Sequence, residues 1–213
     1  MVKFETVAAA AVVCLIVSLV AGVVYAGYLA VIQQMHVLEV LFGNGWLIIA
    51  LPMAGILTSA INLPVHRTKD DIAIFVNVGG CALPVALSSY LVYAHQNMIF
   101  TVNFLVALVI VIAVSRAVSW HMDGVGVRVM FVFVVAAAVT LAHFLAATLL
   151  TRLVFAYVTG TFGVLVGADV VHLVFIGRNG YRGDKFSIGG AGIKDAVWVT
   201  GLAAAFLVGL LGL

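Results

Sequence analysis

Unbroken apolar sequence constrains this chain more than any other feature. Seven stretches, near residues 7–32, 46–61, 72–94, 99–115, 129–151, 153–176 and 194–213, carry few charges. A helix that crosses a bilayer needs about 20 apolar residues. A transmembrane barrel would instead alternate polar and apolar residues in segments of about ten. Hydrophobic residues make up 65% of the chain and charged residues 8%. Soluble domains carry roughly 25% charged residues, so polar side chains are too few here to cover a water-facing surface. The expected fold is an all-α, polytopic integral membrane bundle of seven transmembrane helices, forming one domain over residues 1–213.

The basic residues give that bundle an orientation. With seven spans, nine of the ten Lys and Arg residues fall on one side, and Arg152 alone falls on the other. Cytoplasmic loops are enriched in such residues. The N-terminus is therefore expected in the cytoplasm and the C-terminus outside a cell membrane. The run 7–32 exceeds a signal-peptide core of about 7–15 residues and reads as an uncleaved first helix. No basic tract suits nucleic acid. The expected partners are the lipid bilayer and either a membrane-protein or a small-solute substrate. Cys14 and Cys81 sit inside apolar runs and read as packing residues. His36 and Glu39 are too few to ligate a metal, which commonly takes three or four donors. Neither a metal nor a cofactor is expected.

Against this background two aspartates stand out. Asp169 lies within the sixth stretch, seven residues before Ile176, on the order of 10 Å inside at helical rise. Asp195 opens the seventh. A carboxylate in such a setting is costly and usually has a partner or a function. The topology places both toward the cytoplasmic side. Asn62 and Asn77 lie at the same depth, as do Arg116 and His172. His172 is three residues after Asp169 and shares its helical face. Gly189, Gly190 and Gly192 lead into the last stretch and could form an unwound segment. Asp195 also reads as a simple helix start, and the asparagines also read as interhelical hydrogen-bond partners. Gly160, Gly163 and Gly167 recur at helical spacing and suit close helix packing. Asn77-Val78-Gly79-Gly80 and Ser187-Ile188-Gly189-Gly190 echo one another weakly.

Five motifs carry a resemblance: INLPV from Ile61, VNVGGCALP from Val76, VSRAVSWHMDGVGV from Val114, AYVTGTFGVLVGADVVHL from Ala156 and SIGGAGIKDAVWVTG from Ser187. Together they resemble an uncharacterised family of prokaryotic polytopic membrane proteins. That resemblance implies the architecture and no mechanism. A looser similarity is to the presenilin and prepilin-peptidase type of intramembrane aspartyl protease. It implies Asp169 and Asp195 as a catalytic dyad. The G-x-G-D motif of that type is absent: Val166 and Ala168 precede Asp169, and Gly192 and Lys194 precede Asp195. Three functions remain open on the sequence: an aspartyl hydrolase, a small solute or proton-coupled carrier, and a non-catalytic membrane assembly subunit.

Overall fold

A computed structural model describes residues 18–20, 22–25, 32, 36, 37, 39–41, 43, 46–68, 71–122, 126–175 and 185–212. Most of the expected first span therefore lies outside the described residues. The described chain is mostly helical. Helix α1 covers Leu47–Thr58 and α2 covers Leu83–Ala94. Helix α3 covers Val102–Ala117 and α4 covers Phe131–Leu145. Helix α5 covers Leu149–Val164 and α6 covers Ala196–Leu211. Local chemistry sets several starts. Thr101 accepts a hydrogen bond from the Phe104 amide at the head of α3, and Thr148 accepts one from the Thr151 amide at the head of α5. Each satisfies an amide that the first helical turn leaves unpaired.

Helix α5 is the central element. Nearly every residue from Leu153 to Val164 is buried. It packs most extensively against α6, and also against α2, α3 and α4. The glycine stripe explains how closely they approach. A Cβ on Gly160 would meet the Gly201 backbone of α6, and one on Gly163 would overlap the Val111 side chain of α3. Beyond Val164 the helix widens into a π-helical segment, Leu165–Val170, and closes with one α-helical turn, Val171–Val174. Leu149–Val174, 26 residues, is long and apolar enough to cross a membrane. Val78–Ala94, Val102–Ala117, Phe131–Leu145 and Ala196–Leu211 are shorter apolar helices.

Two small sheets depart from the all-α expectation. The first has the order β1-β2-β5, with β1 at Asn62–Arg67, β2 at Ala73–Asn77 and β5 at Lys185–Ile188. β1 and β2 are antiparallel, with Asn62 opposite Asn77; β2 and β5 are parallel, with Val76 opposite Ile188. The second is a hairpin of β3, Ser119–Met122, and β4, Gly126–Val129. The expected span 72–94 therefore begins as a strand. It continues through a π-helical turn, Val78–Ala82, into α2. The reason lies in its composition: Ala73–Asn77 reads AIFVN, rich in β-branched and aromatic residues, which suit a pleated strand. A short continuous apolar run does not distinguish strand from buried helix by periodicity.

Candidate functional site

One glycine-rich turn holds both aspartates. After β5 the chain turns through Gly189 and Gly192, whose φ values of +71° and +64° lie in the left-handed region where a Cβ is unwelcome. The Asp169 carboxyl lies beside the Gly189 amide. Two residues later, the Ala191 amide donates to Oδ2 of Asp195 at 3.3 Å. The Val197 amide donates to Oδ1 of Asp195 at 3.0 Å, so Asp195 also caps α6. Two residues span at most about 7 Å. The carboxylates are thus brought into one neighbourhood and interact electrostatically.

The rest of the turn is hydrogen-bonded internally. The Gly190 and Gly192 amides donate to the carbonyls of Ser187 and Gly189, at 3.3 and 2.9 Å. The Ile193 amide donates to Oγ of Ser59 at 3.2 Å. The amides from Gly190 to Ile193 are therefore engaged.

A second layer of polar contacts fixes that turn. Asn77 is fully buried, 0% exposed. Its Nδ2 donates to the Ser59 carbonyl at 2.7 Å and to Oδ1 of Asn62 at 3.1 Å, and its Oδ1 accepts from the Gly80 amide at 2.7 Å. Oγ of Ser187 donates to the same Oδ1 of Asn62 at 3.0 Å. Asn62 and Asn77 thus tie the sheet to the glycine turn and do not line the carboxylates' cavity. The sequence echo acquires a meaning here. NVGG and SIGG are two strand-to-turn units, and they pack side by side through their glycines. A Cβ on Gly80 would overlap the Gly189 carbonyl, and one on Gly189 would meet the Cys81 backbone at 2.6 Å.

Asp169 and Asp195 both line a cavity of about 850 Å³. Its apolar wall includes Phe131, Val164, Phe186 and Val199, and Arg128, Lys185 and Lys194 also reach it. Asp169 is only 9% exposed, and its Oδ2 is buried with no hydrogen-bond partner among the described residues. A buried acceptor left unpaired is costly. Buried Cys81 lies close enough to sense both carboxylates.

His172 and Arg116 sit elsewhere. Nδ1 of His172 pairs with the Ala168 carbonyl at 2.6 Å. Arg116 and His121 are near His172, and neither His172 nor Arg116 lines the cavity. The shared face expected for Asp169 and His172 assumes a uniform α-helix. The π segment carries Asp169 and ends just before His172, and its wider turn rotates the residues beyond it. Of the three glycines, Gly190 reaches the cavity, whereas Gly189 and Gly192 act through the turn's geometry. Sequence reasoning did not single out Ser59, Ser187 or Arg128 for this region. Ser59 and Ser187 are ordinary serines in sequence, and only the packing of two turns gives them partners.

Residues 31–207 match a family described as a protein of unknown function (DUF1614), and the chain belongs to that family. No curated protein and no solved structure matches the chain.

Proposed function

We propose that this chain is an integral membrane aspartyl hydrolase, with Asp169 and Asp195 as its acid–base pair and a membrane protein as its substrate. One observation carries this reading: Asp169 and Asp195 line one cavity beside a single glycine turn. Two carboxylates in one neighbourhood do not both ionise readily, so one proton is shared between them. Asp195 accepts two amides at the start of α6, a setting that favours negative charge. It is the base that takes a proton from water. Asp169 is buried, and its Oδ2 has no hydrogen-bond partner among the described residues. It holds the proton and delivers it to the substrate's carbonyl oxygen as water attacks the carbonyl carbon. Asp195 then gives the proton it took from water to the amide nitrogen as the C–N bond breaks, and Asp169 recovers a proton from the gem-diol hydroxyl, which leaves a carboxylic acid and an amine and restores the pair.

The membrane setting is part of the proposal. The lopsided distribution of Lys and Arg supports seven spans with the N-terminus in the cytoplasm. The 26-residue helix Leu149–Val174 supports a bilayer crossing. The cavity would then open toward the cytoplasmic side. A carrier that used the glycine turn to hold an anion would need free amides, and those from Gly190 to Ile193 are engaged.

The test is cleavage of a panel of single-span membrane proteins by the reconstituted chain. Asp169→Asn and Asp195→Asn should each lower the rate by about 10²–10⁴-fold, the usual worth of general acid–base catalysis. The parent should show a bell-shaped pH profile, because the pair works with one proton. Cleavage at the parent rate in either variant would defeat the reading.

A further inference from the structure

The cavity is much larger than a dyad and its water require. A water molecule takes about 30 Å³, whereas about 850 Å³ is present; ligand pockets span roughly 300–1,000 Å³. Whatever enters must therefore meet the walls as well as the carboxylates. Those walls divide by chemistry. Phe131, Phe186, Val164 and Val199 form an apolar part, and Arg128 and Lys194 are exposed cations at its edge. Neither cation has a carboxylate within ion-pair distance among the described residues, so each is available to a ligand. All four residues of β4 line the cavity, and β4 is paired by β3 alone among the described strands. An unpaired strand edge offers a row of backbone donors and acceptors spaced for another extended chain.

We propose that the cavity selects an extended polypeptide segment bearing an acidic side chain, with the apolar part of the segment against Phe131 and Phe186 and its carboxylate held by Arg128 and Lys194. This deepens the hydrolase reading and rests on it for the position of the reacting carbonyl. The alternating backbone groups of β4 favour a polypeptide over a lipid, whose headgroup has nothing to pair with them. Arg128 contributes a planar, two-pronged donor that matches a carboxylate, and Lys194 adds a second charge.

Binding, not cleavage, tests this. The full-length chain with Asp169→Asn is placed in phosphatidylcholine nanodiscs and titrated with two fluorescent single-span peptides. They are identical except for a flanking segment that carries either Glu or Gln. The Glu peptide should bind about tenfold more tightly, the combined worth of two partly exposed ion pairs, and raised salt should shrink the advantage. Arg128→Gln with Lys194→Gln should bring the ratio to about one while the Gln peptide binds as before. Arg128→Lys with Lys194→Arg should keep the preference. Equal binding of the two peptides by the parent, or a preference that survives the Gln substitutions, would overturn the inference. So would loss of the preference when phosphatidylglycerol is added to the nanodisc, which would assign the cations to lipid. Because no bond is broken in this assay, its outcome is independent of whether the aspartate variants cleave.

Discussion

The two ends of helix α5 are built on different principles. From Leu153 to Val164 it is held by apolar side chains and close glycine contacts on several sides, with α6, α4, α3 and α2 all in touch. From Leu165 onward it widens, carries a carboxylate, and meets a glycine turn held by a few backbone and side-chain hydrogen bonds. Many small contacts share the load in the first region. In the second, a few hydrogen bonds decide where two carboxylates stand. Substitutions in the first should therefore act on folding, and those in the second on the site.

Gly163→Leu should have the largest effect on stability. A Cβ there already overlaps Val111, and the longer side chain would separate α3 from α5. The expected loss is about 3 kcal/mol, at the upper end for overpacking, read as a lowered unfolding midpoint in detergent. Protein that remains folded should bind the acidic peptide normally. Asn77→Ala should have a smaller effect on stability, about 2 kcal/mol, because it leaves a buried amide and carbonyl without partners. Its effect on cleavage should exceed its effect on the folded fraction, since the Gly80–Gly189 contact loses its anchor. Asn77→Asp, which keeps the acceptor for the Gly80 amide, should recover part of the cleavage. If Asn77→Ala lowers cleavage only in step with the folded fraction, the division between the two regions fails.

The same division explains what the sequence made legible. Asp169 and Asp195 stand out because a carboxylate in apolar sequence needs a cause, and seven spans would put both at one depth. The structure places both on one cavity. Asn62 and Asn77 were grouped with them by depth, but depth does not separate a residue at the site from one that supports it. His172 was grouped by helical spacing, and the π segment undoes that spacing. β2 is not legible as a strand because it is short and merges into an apolar run, and β5 because it is four residues within a Gly-rich, basic connection. Their pairing joins residues 73–76 to 185–188, a separation that local pattern does not report. The NVGG and SIGG echo was the one trace of it.

The central claim is that one turn positions both carboxylates for shared proton chemistry. The most direct measurement is a cryo-electron microscopy structure of the full-length chain in a nanodisc, at a resolution that places side chains and ordered water. The expected result is Asp169 beside the Gly189 amide, the Ala191 amide on Asp195, and the two carboxylates about 3–5 Å apart with a water bound to both, as a shared proton requires. Carboxylates more than about 10 Å apart, or a Gly189 amide directed away from Asp169, would contradict it.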